Sequence, residues 1–459
     1  MPAIDLAQPG RRIHVVGIGG AGMSAIATVL VAMGHRVSGS DLNPSPGLER
    51  LRVLGVEVAV GHRPEQIGDA EVVTRSTAVP DGNVELVAAR ERGIPVLRRA
   101  EMLAAITATR RTVAVAGTHG KTTTTSMLAL VLTEAGLAPS SMVGGEVNGL
   151  GGGAVWSEAG DLLVVEADES DGTFLELGAE AAVVTNVEPD HLDHYGDIEA
   201  LHRAFARFLA EADGIKVVCA DDPVADRLGR AAGAVRYGTA ADADFRMTAL
   251  AGGRSSTQFA VEHDGATVAE VTVPVPGLYN ARNACAALVA GHLLGAPLDA
   301  AVRALARYGG VARRFQFRGE QFGITYVDDY AHLPGEVASV LAAAAQGGWG
   351  RIVCVFQPHR YTRTAALWAD FADAFDLADV LVLTDVYAAG EAPLPGVSGK
   401  LLVEAVLRAH PYRRVAYLPA RDDLVRYLHQ LLVPGDLCLT LGAGDITTLP
   451  DQLTTATAS

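Results

Sequence analysis

An α/β protein of three domains is predicted for this chain, and three observations predict it. Twice, at residues 13–33 and 112–131, a strand-like apolar run enters a glycine turn and then a helical run. After Arg313 a third alternation begins, with strand-like runs at residues 325–329, 351–356, 380–384 and 437–441. A chain of 459 residues, 49% hydrophobic and holding 50 glycines, exceeds one ordinary core and suits roughly three layered α/β domains. The expected bounds are residues 1–107, 108–312 and 313–459.

In the first domain a strand at residues 13–16 leads into Gly17, Gly19, Gly20, Ala21, Gly22, Met23 and Ser24. A second strand ends on Asp41, about 20 residues further on, which is the GxGxxG spacing in its strand-to-helix context. Backbone N–H groups and the positive end of the helix suit a diphosphate. Taken alone the motif suggests a nicotinamide dinucleotide, but a UDP-sugar offers the same diphosphate. Residues 71–74 and 95–97 read as further strands, the first followed by the polar Arg75, Ser76, Thr77 and Ala78. A helix at residues 99–106 and a polar break at 107–111 close the domain.

The second domain opens on Gly117-Thr118-His119-Gly120-Lys121-Thr122-Thr123, between a strand and a helix. Such a turn cradles phosphate with backbone N–H groups, while its lysine reaches the β/γ-phosphates and the next hydroxyl meets Mg²⁺. A strict P-loop has a further glycine where this chain has Val115, so this is a shortened variant. The strand at residues 161–165 ends in the acidic stretch 166–171, and the strand at 181–185 ends in 186–194. In open parallel sheets ligands sit outside the carboxyl ends of strands, which favours Glu166 and His191 as metal contacts. Asp168, Asp171 and Asp193 read instead as caps or supporting partners. Asp264-Gly265 between two strand-like runs signals an antiparallel hairpin. Asn280 and Asn283 share a helix face, and carboxamides suit an adenine edge, although Asn280 is also a natural cap.

In the third domain the strand ends carry Asp328, Asp329, Tyr330 and His332, then His359, Arg360 and Arg363. Two arginines and a histidine within five positions make a carboxylate or phosphate clamp.

The net charge of −16 argues against a nucleic-acid partner, because neutralising a phosphate backbone takes clustered Lys and Arg. Anionic ligands must be held by local cations, and lysine occurs only at 121, 216 and 400. Cys219, Cys285, Cys354 and Cys438 have no zinc-like spacing and suit a reducing compartment. No charged-then-apolar leader is visible, and the apolar run at residues 25–33 is far short of the roughly 20 residues of a membrane span. A soluble cytoplasmic protein with no membrane partner is expected.

Assembled, these stretches resemble the Mur ligase family over nearly the whole chain. GIGGAGMS, GTHGKTTTT, EADESD, NVEPDHLDHYGD, YNARNA, ARRFQ, DDYAH, FQPHRYTRT, DVYAAGE and LGAGDI occur in family order. The resemblance implies a Rossmann-like N-terminal domain for a UDP-sugar and a central P-loop ATPase domain with a parallel sheet and a small antiparallel insertion. It implies a C-terminal Rossmann-like domain that closes on the amino acid and ATP. GIGGAGMS and FQPHRYTRT point to the alanine-adding branch. The implied reaction joins L-alanine to the carboxylate of UDP-N-acetylmuramate through an acyl phosphate. It uses ATP and Mg²⁺, belongs to cytoplasmic peptidoglycan precursor synthesis, and is carried out by a monomer or weak homodimer.

By the same resemblance Gly17, Gly19, Gly20, Ala21, Gly22, Met23, Ser24, Asp41 and Ser76 hold the UDP-sugar. Gly117, Thr118, His119, Gly120, Lys121, Thr122 and Thr123 hold the ATP phosphates, Asn280 and Asn283 the adenine, and Arg314 and Asp329 the phosphates and ribose. Thr122, Glu166 and His191 are the implied Mg²⁺ ligands, and Lys121, Glu166, His191 and Arg314 the catalytic set. Tyr330, His332, His359, Arg360 and Arg363 receive the muramoyl carboxylate and alanine. Two departures stand out: Tyr279 occupies a position where the family has histidine, and Leu333 replaces the second histidine of DDYxHHP. Tyrosine can still stack on adenine, whereas leucine cannot hydrogen-bond. No lysine lies beside His191, so no carbamylated lysine is expected.

Overall fold

A computed structural model describes residues 4–144 and 153–455 of the chain. They form two compact units, Met1–Thr248 with Ala260–Val271 and Arg282–Gly309, and Ala249–Phe259 with Thr272–Ala281 and Gly310–Ser459. Three sheets are present, one for each predicted alternation.

The first sheet contains Arg12–Val16 (β1), Arg36–Asp41 (β2), Glu57–Val60 (β3), Val72–Arg75 (β4) and Val96–Arg98 (β5). It is parallel throughout, in the order β3-β2-β1-β4-β5. The chain steps outward from β1 on one side and from β4 on the other, so the strand order reverses between them. A crevice opens at such a point, and the first glycine turn follows β1 there.

The second sheet comprises Arg111–Ala116 (β6), Ser140–Met142 (β7), Ala154–Val155 (β8), Leu162–Glu166 (β9), Ala181–Val184 (β10), Lys216–Cys219 (β11), Val235–Gly238 (β12), Phe245–Gly252 (β13), Thr257–His263 (β14) and Ala266–Val273 (β15). Its order is β15-β14-β13-β12-β11-β10-β6-β9-β7-β8. β6 lies between β9 and β10, parallel to both. The second glycine turn therefore emerges at another reversal, flanked by the two acidic strand ends. β6, β9 and β10 are almost continuously buried, as expected of parallel strands covered on both faces. The Asp264-Gly265 turn has φ of 51° and 77° and joins β14 to β15 as a two-residue hairpin.

The third sheet comprises Gln316–Gln321 (β16), Ile324–Asp329 (β17), Arg351–Phe356 (β18), Val380–Leu383 (β19), Val415–Tyr417 (β20) and Asp436–Leu441 (β21), ordered β16-β17-β21-β18-β19-β20. It is parallel except for β16, an antiparallel edge that the polar segment QFRGEQ does not signal. One core, including Val15, Leu30, Ala116, Val165 and Phe205, runs through the first unit beneath both glycine turns. In the second unit the two faces of the third sheet carry separate clusters, around Phe356 and around Val355.

Candidate active site

The second glycine turn is built to leave its donors outward. Gly117 and Gly120 have φ of 135° and 81°, which side-chain-bearing residues adopt at a cost. A Cβ on Gly117 would overlap the Thr185 hydroxyl, and one on Gly120 the carboxamide oxygen of Asn283. The helix Lys121–Glu134 begins directly on Gly120, with no side-chain cap and no acidic residue in its first turn. Its free N–H groups and positive end are thus available to an anion.

Residues after β10 brace this turn from outside. His119 N–H donates to Asn186 Oδ1 at 2.8 Å, and Asn186 Nδ2 donates to the His119 carbonyl at 3.0 Å. Glu188 N–H donates to Thr118 Oγ1 at 2.8 Å. Lys121 Nζ donates to the Gly117 carbonyl at 2.7 Å and the Thr118 carbonyl at 3.3 Å, and pairs with Glu169 Oε1 at 2.8 Å. Burial alone would lower the lysine, but Glu169, with Asp168 and Glu166 beyond it, holds it above its ordinary value and keeps it a cation.

Thr122 and Glu166 are brought together. Thr122 Oγ1 donates to Glu166 Oε1 at 3.0 Å, while Glu166 Oε2 accepts from Gly144 N–H at 2.6 Å. Glu166 closes β9 as its last residue rather than following it. His191, at φ 54°, turns its ring to Asp190, with Nε2 3.2 Å from Oδ2, rather than to that pair. Asp168 and Asp171 accept from the N–H groups of Ser170 and Thr173. The Asp193 side chain lies outside the described residues. Among the described residues, the one set of three ionisable groups close enough to share a metal is Asp373, Asp376 and His410, where Arg413 also pairs with Asp376.

The first glycine turn is organised by Asp41 and Ser76. Gly17 and Ile18 N–H groups donate to the Ser40 carbonyl, and Gly19 N–H donates to Asp41 Oδ2 at 2.9 Å. A Cβ on Gly17 would lie 2.9 Å from that of Ser76, and one on Gly19 would lie 2.8 Å from Asp41 Oδ2. Asp41 thus shapes the loop itself. Gly20 precedes the helix Ala21–Ala32 without a side-chain cap, and Met23 packs into the core at 2% exposure. Ser24 N–H donates to the Gly20 carbonyl at 2.8 Å within the first turn.

A cavity of about 250 Å³ joins this turn to the Glu166 carboxylate. Ala21, Gly22, Ile26, Arg99, Val143 and Glu166 are among its lining residues. Arg99 is its cation: Nη2 lies 3.2 Å from Asp168 Oδ2 and 4.0 Å from Asp171 Oδ2, and its buried Nε has no partner. Motif reading missed Arg99, because its neighbour Asp168 is 69 positions away.

Asn280 and Asn283 both lie on the helix Leu278–Leu293. Asn280 Nδ2 donates to the Pro276 carbonyl at 2.7 Å, a bond back to the residue four positions earlier and not a cap, whereas Asn283 packs on Gly120 of the phosphate turn. Tyr279 is half-buried against the core of the second unit.

In the second unit the residues after β17 and β18 form an aromatic and cationic row. Tyr330 meets His332 edge-on at 5.4 Å, His332 meets His359 at 5.9 Å, and His359 stacks on Tyr387 at 5.7 Å. Arg313 and Arg314 lie over the Tyr330 ring at 4.9 and 5.2 Å. Arg363 Nη1 is 3.2 Å from His359 Nδ1, and Arg360 N–H donates to the Tyr387 carbonyl at 2.8 Å. Tyr387 is a member of this row that motif reading did not single out. Burial, reinforced by His332, Arg363 and Arg360, pushes His359 down to about 4. Burial pushes Asp329 up to about 6, against the pull of Arg314 and of the Phe315 and Ala331 N–H groups that it accepts. Positive φ at Arg313, Phe315 and Arg360 concentrates backbone strain on this row. Leu333 is 5% exposed, and its N–H donates to Glu336, which caps the helix Pro334–Ala345.

Comparison with known proteins finds matches along most of the chain. The family models described as Mur ligase family, catalytic domain, Mur ligase middle domain, and Mur ligase, glutamate ligase domain match residues 12–111, 115–291 and 313–444. The chain is 45% identical over 441 residues to a UDP-N-acetylmuramate–L-alanine ligase of Pelotomaculum thermopropionicum, covering 95% of each chain. It is 48% identical over 443 residues to the protein of that name from Solidesulfovibrio magneticus, covering 95% of this chain and 96% of that one. The crystal structure of UDP-N-acetylmuramate-alanine ligase from Thermotoga maritima superposes with a TM-score of 0.82 at 30% identity, over 97% of this chain and 98% of that one. With three consecutive domain matches and full-length relatives at this identity, the chain belongs to the Mur ligase family.

Proposed function

We propose that this chain is an ATP-dependent amide ligase that joins L-alanine to the carboxylate of UDP-N-acetylmuramate in peptidoglycan precursor synthesis. The observation that carries the reading is the cavity that runs from Gly22 of the first glycine turn past Arg99 to Glu166 beside Thr122. It leads from a diphosphate-type turn to Glu166, which the Thr122 hydroxyl ties to the triphosphate-type turn, and transfer of a phosphoryl group onto a sugar-linked carboxylate requires such proximity. Relatives that bear the ligase name over 95% of this chain support the same substrates.

In this reading the sugar diphosphate lies on the N–H groups of residues 20–22, and the acid extends along the cavity with Arg99 countering its charge. Lys121 and the helix N-terminus hold the terminal phosphate for in-line attack by that carboxylate, and the bond to the β-phosphate breaks with ADP as the leaving group. Alanine then displaces phosphate from the acyl phosphate. Tyr330, His332, Arg360 and Arg363 orient the amino acid and the carboxylate. Two anions must meet in a chain of net charge −16, so positioned cations carry the catalysis.

The donors at Thr122 and Glu166 are oxygens already in mutual contact, a set that suits a hard cation. Thr122, Glu166 and His191 would hold Mg²⁺, His191 by leaving Asp190. The chemistry the ion supplies when bound is neutralisation of charge on the β- and γ-phosphate oxygens. The reading is tested by phosphate release from ATP. Release should require UDP-N-acetylmuramate and alanine together, and release with ATP alone at the same rate would oppose it.

A further inference from the structure

Glu169 has been met so far only as the charge partner of Lys121, and it is the most deeply buried acid beside the phosphate turn. Its residue exposure is 1%, its Oε1 lies 2.8 Å from Lys121 Nζ, and its Oε2 has no hydrogen-bond partner. The Glu169 backbone is fixed as well, because Tyr195 donates its hydroxyl to the Glu169 carbonyl at 2.5 Å and Gly172 N–H bonds the same oxygen at 3.1 Å. A buried carboxylate with an idle oxygen is costly unless a cation compensates it, and Lys121 is the cation paired with it.

The three bonds of the ammonium are unequal. Gly117 and Glu169 accept at 2.7 and 2.8 Å, and Thr118 at 3.3 Å. An ammonium has three protons, so an arriving phosphate must replace one acceptor. The longest bond is the weakest, which leaves the Gly117 carbonyl and Glu169 as the two that remain. Lysine is a point charge on a flexible four-carbon stem, and two fixed acceptors are enough to aim its third proton.

Accepting the ligase reading, we propose that Glu169 is a positioning residue that aims Lys121 at the terminal phosphate of ATP. The contact that matters is the oxygen facing Nζ, because Asp168 and Glu166 still favour the ammonium when the charge of Glu169 is removed. Glu169→Gln keeps an oxygen at the same reach, and Glu169→Asp keeps the charge but withdraws it by one methylene. Steady-state phosphate release is measured for both, with kcat and KM for ATP resolved and thermal unfolding recorded alongside.

The expected result is that E169Q retains kcat within about threefold. E169D should lose roughly 10-fold or more in kcat, with KM for ATP changed less than about threefold, the scale of a misplaced catalytic group. The reverse order, or E169D turning over like the wild-type chain, overturns the inference while leaving the ligase reading intact. A wild-type chain that releases no phosphate with both substrates overturns the ligase reading itself, and the inference with it.

Discussion

Thr122 donates its hydroxyl to Glu166 across 3.0 Å, tying the first turn of one helix to the last residue of the neighbouring strand. If this pair receives Mg²⁺, Thr122→Ala should raise the Mg²⁺ concentration for half-maximal phosphate release by about 10–100-fold, the range seen when a metal site loses a supporting group. Glu166→Gln should lose roughly 10²-fold or more in kcat. A magnesium titration of both variants checks this, and unchanged titration curves would remove the pair from the metal site.

Gly120 is expected to be intolerant of a side chain. Its φ of 81° and the Asn283 oxygen against its missing Cβ both oppose alanine. Gly120→Ala should destabilise the fold by about 1–2 kcal/mol from backbone handedness alone. It should also weaken nucleotide binding, read by a fluorescent ATP analogue, and a variant with wild-type unfolding and binding would show that the turn relaxes freely.

His359 gives a pH dependence whose sign is fixed. Its folded value of about 4 lies below the ordinary 6.5, so between these values the unfolded chain binds more protons than the native one. Stability should therefore fall as pH drops from about 6.5 toward 4, and His359→Gln should flatten that part of the profile. Thermal unfolding of both proteins across this window is the measurement. A parallel decline in both would assign the acid sensitivity to other groups.

Arg99 should matter for the sugar substrate and not for the nucleotide. Losing one charge-assisted contact of about 1.5–3 kcal/mol predicts that Arg99→Ala raises KM for UDP-N-acetylmuramate by roughly 10–10²-fold. KM for ATP should change less than about threefold, since Lys121 is held by Glu169 and the loop carbonyls instead. Initial-rate kinetics with each substrate varied would separate the two, and an equal rise in both constants would make Arg99 a structural brace.

Much of this was legible in the sequence where a local rule applies. Gly117, Gly120 and the continuous apolar runs before them specify a buried parallel strand entering a helix, and Asp264-Gly265 specifies its hairpin. What escaped depends on distant partners. Asn186 braces His119 from 67 positions away, and Glu169 meets Lys121 from 48 away, so no spacing within a motif reveals either. β16 escaped for another reason: as a half-exposed edge, with Phe317 at 62% exposure, it shows no clean apolar alternation. Asn280 belongs to a residue type that serves caps, ligands and local backbone bonds alike, and its amide is spent on the Pro276 carbonyl.

The most direct test is phosphate release from ATP with UDP-N-acetylmuramate against a panel of alanine, serine and glycine, with the product identified by mass. The account predicts release that depends on both substrates, with alanine turned over fastest and UDP-N-acetylmuramoyl-alanine formed in equal amount to phosphate. Release that ignores the UDP-sugar, or no amide product despite release, would contradict it.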